Sequence, residues 1–194
     1  MLQLVTAPTV EPVDLAEAKI AVNYAESQSD KDEWFLPTIV AAREWAENFT
    51  GRAFLTQTWD LKLDRFPSWG IELPKPPLQS ITSITYIDTD GVTQTLGVSL
   101  YTTSRPVGPY AMPGYVVPAY QQTWPSTRAV PDAVTVRFVC GYGTGAQTVP
   151  QSIRLAMKLQ IGTRLMQTEG VIVGTIASLA PQGDEYLLWP YKVA

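Results

Sequence analysis

The hydrophobic period of this chain changes twice, and that constrains its fold more than any other feature. Apolar residues recur at helical spacing up to Thr50. They alternate with polar residues from Leu55 onward, and return to helical spacing after Pro150. "AAREWAENFTGRAFLTQTWDL" (41–61) carries the first change and "VTVRFVCGYG" (134–143) precedes the second. A helix cannot present a period-2 pattern on one buried face, nor a strand a period near 3.6. The pattern therefore predicts an α+β protein: a small helical bundle with a β-rich insertion between its second and third main helices, followed by a C-terminal arm. The expected boundaries are 1–53 for the N-terminal helical part and 54–143 for the β-rich insertion. Residues 144–169 would complete the bundle, and 170–194 would form the arm.

Local signals refine this. Asp14 is an N-cap with Glu17 three residues later, a capping-box pattern that opens a helix with Leu15, Ala18 and Val22 on one face. Asp30 and Glu33 repeat the pattern ahead of a longer helix ending at Thr50. Its expected stripe is Leu36, Ile39, Val40, Ala46 and Phe49, and Gly51 suits the position just past the end. Pro37 predicts a kink or a late start there. Leu55, Gln57, Trp59, Leu61 and Leu63 alternate with polar residues, as in a half-buried strand. "IEL" reads as a short strand closed by the stiff "PKPP". "ITSITYID" and "VTQTL" flank a turn at Asp90-Gly91 and predict a hairpin. Residues 105–131 carry repeated prolines and read as a long ordered loop, with "GYVVP" a candidate short strand. Val134, Val136, Phe138 and Cys140 form one face of a strand. Ile153, Ala156, Met157, Ile161 and Leu165 form the buried stripe of the last long helix, with Pro150 at its start.

Composition narrows the chemistry. The 194 residues can bury a core without disulfide or metal staples. There is no histidine, which removes Ser-His-Asp triads, Cys-His dyads and most zinc sites. Cys140 is the single cysteine, so no intrachain disulfide forms and a reducing compartment is the simplest reading. The net charge of −4 argues against nonspecific duplex binding. No apolar run reaches the roughly 20 residues of a membrane span. The opening "MLQLVTAPTVEP" lacks the regions of a secretory leader. No cofactor and no metal are expected.

Several constellations invite a functional reading and are better explained by structure. "GYGTGA" (141–146) sits where a phosphate loop would, but lacks the G-x-G-x-x-G spacing and a following lysine, and reads as a turn. Asp88 with Asp90, and Asp184 with Glu185, could serve as acid–base pairs. Both lie where backbone geometry calls for acids, at a hairpin turn and a helix start. Tyr110, Tyr115, Tyr120 and Trp124, near Trp69, could form an aromatic platform for a glycan or another protein. Packing or subunit contact is the better-supported alternative. Arg43, Glu44, Glu47 and Arg52 read as a solvated or intersubunit face able to set register between copies. The tail is unusually apolar. Val171, Ile172, Val173, Ile176 and Leu179, then Tyr186, Leu187, Leu188, Trp189 and Tyr191, form a surplus that marks an interface. Residues 170–194 are expected to order on assembly, and a chain cut at Gln167 to stay folded but fail to join its partner.

"EPVDLAEAK", "AAREWAENFTGRAFLTQTWDL", "LPKPPLQSITSITYIDTDGVTQTL", "WPSTRAVPDAVTVRFVCGYG" and "VPQSIRLAMKLQIGTRL" occur in this order over about residues 10–167. Together they resemble the head–tail connector (adaptor) proteins of tailed double-stranded DNA phages and gene transfer agents. Pro37, the expanded aromatic loop 105–124 and the C-terminal arm depart from that pattern. The resemblance implies a non-enzymatic virion protein, made in the host cytoplasm and placed in the neck at the head–tail interface. It implies a ring, usually of twelve copies, beneath the portal protein. The ring would extend the channel through which genomic DNA passes without sequence-specific binding, and would dock the next neck, stopper or tail protein. The C-terminal segment would reach the portal and the β insertion would face outward or contact neck neighbours. No membrane partner is implied, and the resemblance carries no catalytic residues. The alternative reading is a non-enzymatic binding module that uses the aromatic loop for a glycan or another virion protein. A carboxylate-based hydrolase is a third, for which no residue pair stands out.

Overall fold

A computed structural model describes residues 1–166 and 183–193. The chain divides into a β unit, chiefly Met1–Pro8 and Thr56–Tyr142, and a helical unit, Thr9–Leu55 and Gly143–Lys192.

The β unit contains two antiparallel sheets. The larger has five strands in the order β1 (Leu2–Thr6), β2 (Gln57–Leu63), β8 (Val134–Cys140), β4 (Leu78–Ile87), β5 (Thr93–Thr95). The smaller orders β3 (Ile71–Leu73), β7 (Gly114–Pro118) and β6 (Tyr101–Ser104). The strand expected from "VTVRFVC" is the axis of the larger sheet. Its Val134, Val136, Phe138 and Cys140 are fully buried, as strict alternation requires of a strand with one core face. Register places Val136 between Leu61 and Ile84, and Phe138 between Trp59 and Ile81, so one face is apolar across three strands. On the other face Arg137 lies opposite Asp60 and Ser83. The two sheets meet closely at Gly114, where a Cβ would lie 2.4 Å from the Leu78 side chain. Only glycine admits that approach. The "GYVVP" strand forms, and it is the centre of the smaller sheet. The turn at Asp88–Val92 forms as expected, with Asp88 accepting from the backbone N–H groups of Asp90 (3.1 Å) and Val92 (2.8 Å).

One strand is unforeseen. Residues 1–8, expected in the N-terminal helical part, belong to the β unit, and β1 pairs with β2. The Met1 amino group donates to the Lys62 carbonyl at 2.7 Å and the Lys62 N–H returns to the Met1 carbonyl at 2.8 Å. "LQLVT" is too short and too irregular in its alternation to read as a strand without its partner.

The helical unit comprises α1 (Leu15–Ala21), α2 (Asp32–Thr50), α3 (Gln151–Met166) and α4 (Gly183–Leu188). Asp14 caps α1, accepting from the Glu17 N–H at 2.8 Å. The reciprocal half of the capping box does not form, because the Glu17 carboxylate is taken by Arg154 of α3 at 2.6 Å. The second expected cap is also redirected. The Asp30 carboxylate accepts from the Tyr24 hydroxyl, and α2 starts two residues later without a side-chain cap. Here Lys19 organises the preceding loop: its buried ammonium pairs with Asp32 at 2.7 Å and donates to the carbonyls of Glu26 (3.3 Å) and Gln28 (2.6 Å). Pro37 lies within α2 without ending it. Being in the second turn, it removes the bond its N–H would have made to the Glu33 carbonyl and crowds that carbonyl, yet the helix continues past it. The buried face of α2 is Phe35, Ile39, Ala42 and Ala46. Leu36, expected inside, is exposed, so the face is rotated from the predicted stripe. Gly51 takes a left-handed φ of 72° and its N–H closes the helix on the Glu47 carbonyl. Along α3, Ile153, Ala156, Met157 and Ile161 are buried as the spacing predicts, and Leu165, in the last turn, is only half-buried.

The C-terminal segment differs from the expected free arm. Leu188 and Tyr191 are buried in the helical unit, and Gln160 of α3 donates to Asp184 at 3.0 Å. Truncation at Gln167 would therefore remove part of the core and destabilise the shortened chain, in place of the folded monomer expected from the sequence.

Phe138→Ala should lower the unfolding free energy by about 3–5 kcal/mol, measured by urea denaturation, because Phe138 is packed on all sides in the central strand. A loss below about 1 kcal/mol, the scale of an ordinary surface substitution, would show that β8 is not the axis of the core.

Candidate functional site

Arg43, Glu47 and Arg52 are buried and serve the interior of the helical unit; of the four residues read as a solvated charged face, only Glu44 is exposed. The Arg43 guanidinium donates to Glu11 at 2.8 Å and to Glu47 at 3.0 Å. The other Glu47 oxygen accepts from the Phe54 N–H at 2.8 Å. Arg52 donates to the Tyr191 carbonyl, tying the end of α2 to the C-terminal turn. Burial works against the charge of Arg43, but Glu47 and Glu11 outweigh it, and its pKa is raised. Arg43 and Glu47 are spaced at i, i+4 along a helix, the same spacing that an exposed ion pair uses, so the sequence pattern alone does not separate the two cases.

The aromatic residues do not converge. Trp124 stacks flat on Phe66, centroids 4.8 Å apart, with Tyr86 edge-on to Phe66. It is part of the packing of the β unit. Tyr115 on β7 stacks on Trp69 and donates its hydroxyl to Glu72 at 3.0 Å. Tyr110 and Tyr120 are exposed, Tyr120 at 89%. The expected outer surface is thus two exposed tyrosines and an exposed Trp69 stacked on a half-buried Tyr115. An open depression of about 380 Å³ in the β unit, lined by Leu61, Leu63, Pro67, Ile71 and Glu72, has Glu72 as its one carboxylate. That group is already engaged by Tyr115 and has no second acid beside it in the lining.

The remaining candidates have structural employment. Asp88 is held below its ordinary pKa by the Gln94 amide and the turn N–H groups. Gln94 donates to it at 2.8 Å. Asp60 is lowered by the two-pronged contact from Arg137, both bonds 2.8 Å. Gly141 has a φ of 116°, and its N–H donates to the Pro77 carbonyl at 2.9 Å, a turn at the end of β8. Cys140 is buried. Among the described residues no group of three or more His, Cys, Asp or Glu side chains is placed to hold a metal ion. No described helix is long and apolar enough to cross a membrane.

Of the expected interface residues in the tail, Val171, Ile172, Val173, Ile176 and Leu179 lie outside the described residues. Leu188 and Tyr191 are internal and Leu187 is half-buried. Tyr186 and Trp189 are exposed, and Trp189 meets Phe49 edge-on at 6.1 Å.

No protein-family model matches the chain, and no curated protein matches its sequence. Solved structures do match. A chain from the neck of an empty gene transfer agent particle, computed with C6 symmetry, aligns with a TM-score of 0.81 at 18% identity, covering 100% of this chain and 96% of that one. A chain from the virion of a native gene transfer agent particle gives 0.80 at 17% identity with the same coverage. A chain from the neck of a native particle, computed with C12 symmetry, gives 0.74 at 18%. The α+β fold is that of gene transfer agent neck chains. The alignments cover the whole of this chain.

Two predictions follow from the charged groups. Arg43→Ala should destabilise the protein by about 3–5 kcal/mol, because it leaves the buried Glu47 carboxylate without its cation. Thermal unfolding would check this, and an unchanged midpoint would place the network on the surface after all. Glu17 is partly buried, which favours its neutral form, yet Arg154 and Lys158 prevail and its pKa falls below the ordinary 4.5. A carboxyl lowered on folding contributes stability above its unfolded pKa and loses it as pH falls through the folded value. Glu17→Gln should therefore flatten the decline in stability below about pH 4.5, relative to wild type, in acid titrations followed by circular dichroism. An unaltered acid limb would remove Glu17 from that role.

Proposed function

We propose that this chain is a structural head–tail connector of a tailed, gene-transfer-agent-like particle. It resides in the virion neck and has no catalytic role. Full-length likeness to a neck chain, at a TM-score of 0.81, carries the reading. Twelve copies form a ring beneath the portal, in keeping with a similar neck computed with C12 symmetry. The ring lengthens the DNA channel and docks the next neck or tail protein. The polar candidates are consumed by folding: Asp88 by a turn, Asp60 and Glu17 by ion pairs, Glu47 by Arg43 and Phe54. That favours a protein whose work is done by surfaces. In this reading Val171, Ile172, Val173, Ile176 and Leu179 supply the apolar contact to the portal, and Tyr110, Tyr120 and the Trp69–Tyr115 stack face other neck proteins.

The test is mass by light scattering, for the protein alone and mixed with the portal protein from the same genome. A multi-copy complex of ring size with the portal is expected. Replacing Val171, Ile172, Val173 and Ile176 by serine should abolish it while α4 stays in place. A chain that ignores the portal would refute the connector reading.

A further inference from the structure

The β unit covers its larger sheet unevenly, with three strands facing five. Under the smaller sheet burial is complete: Val136 on β8 and Ile84 on β4 are 0% exposed, and Leu78 of β4 meets Gly114 of β7. Burial falls away across β2 and β1. Leu61 and Leu63 of β2 are only half-buried, although register sets Leu61 on the same face as Val136. On β1, Leu2 lies opposite Leu61 and Leu4 opposite Trp59, again on that face, and Leu4 is 43% exposed. Two packed sheets bury each other's inner faces. The apolar face of β2 and β1 therefore runs past the strand that should cover it.

That cover stops at β3. This strand pairs with β7 on one side and with no strand on the other. Ile71 and Leu73 are buried and Glu72 is exposed, so the strand has one inner and one outer face. Among the described residues no other backbone hydrogen bond reaches these three. The depression of about 380 Å³ opens beside this edge, lined by Leu61, Leu63, Pro67, Ile71, Glu72 and Pro74. The charge there is one-sided. Glu72 gives one carboxylate oxygen to the Tyr115 hydroxyl at 3.0 Å, and its other oxygen has no partner among the described residues. Trp69, 71% exposed, stacks on the same Tyr115. A carboxylate oxygen and an open indole face both attract a cation. Past Pro74 the sign reverses, where the Lys75 ammonium lies 5.7 Å from the centre of the Trp59 ring.

The geometry points to strand addition at β3 by an extended segment of another protein, one that alternates apolar residues with a lysine or arginine. Its backbone bonds the free edge of β3. Its apolar side chains turn inward over Leu61 and Leu63, and its basic side chain turns outward to Glu72 and Trp69. Three residues of β3 make few backbone bonds, so these side chains select the segment. A glycan laid on Trp69 would leave Leu61 and Leu63 in water. A wholly apolar segment would desolvate Glu72 without supplying a cation. The inference deepens the connector reading, by naming how the β unit takes a neighbouring neck protein, and rests on it for the source of the segment. The edge and the depression exist without it.

The test titrates the full-length protein with short fluorescent peptides that alternate valine with lysine, valine with glutamate, or serine with lysine. Anisotropy reads binding, and amide hydrogen exchange over residues 69–74 reads strand formation. The valine–lysine peptide should bind and slow exchange at Ile71–Leu73, with the other two about tenfold weaker. Glu72→Lys should weaken it by about tenfold, and Trp69→Ala should weaken it too. Glu44→Lys, the same charge change in the helical unit, should leave binding as it is. All three residues are exposed, so matching thermal unfolding confirms that each variant is folded. Four results would overturn the inference: no binding of the valine–lysine peptide, equal binding of either control peptide, equal loss in Glu44→Lys and Glu72→Lys, or binding without slowed exchange at β3. A portal complex that forms while every peptide fails removes strand addition and leaves the connector. Strand addition to a chain that ignores the portal does the reverse.

Discussion

The helical unit depends on the Glu47 carboxylate. One oxygen receives Arg43, which also holds Glu11; the other receives the Phe54 N–H. A single acid thus joins the chain ahead of α1, the last turn of α2 and the backbone that leaves α2. It lies close to Gly51, whose left-handed turn makes that return possible, and to Arg52, which reaches the C-terminal turn at Tyr191. Buried charges are tolerated only when paired and hydrogen-bonded, and each of these is. The arrangement trades stability for direction: an apolar contact would allow the exit strand to slide, whereas a carboxylate facing a backbone N–H does not.

The β unit solves the corresponding problem by register. With β8 as its axis, a shift of one residue would place Arg137 in the core and Phe138 in water. The bidentate Asp60–Arg137 pair marks the opposite face and penalises that slip. Thus both units use a charged pair to make one arrangement unique, while apolar burial supplies the driving force.

The candidate acids Glu17, Glu47, Asp60 and Asp88 are committed to these tasks, while Trp34, Trp69, Tyr120 and Trp189 stand exposed. The rotated buried face of α2 illustrates the point. Phe35 and Ala42 turn inward, and that rotation leaves Trp34 and Leu36 exposed. The apolar residues were visible in the sequence, but spacing alone does not say which of them are covered.

Local, periodic features were determined by the sequence itself. The α+β class, the β8 strand, the α3 stripe, the Asp14 cap, the Gly51 stop and the hairpin at Asp90-Gly91 all follow from interactions between near neighbours. Tertiary structure decided whatever required a distant partner. It paired Leu2–Thr6 with β2, sent Glu17 to Arg154 and Asp30 to Tyr24 in place of their expected caps, and drew Arg43, Glu47 and Arg52 inward. It also separated Trp124 from Tyr110 and Tyr120, and folded Leu188 and Tyr191 into the bundle. A charged or aromatic side chain has the same local spacing whether it faces water or a partner. Only the element packed against it determines which, and that element lies far away in the sequence.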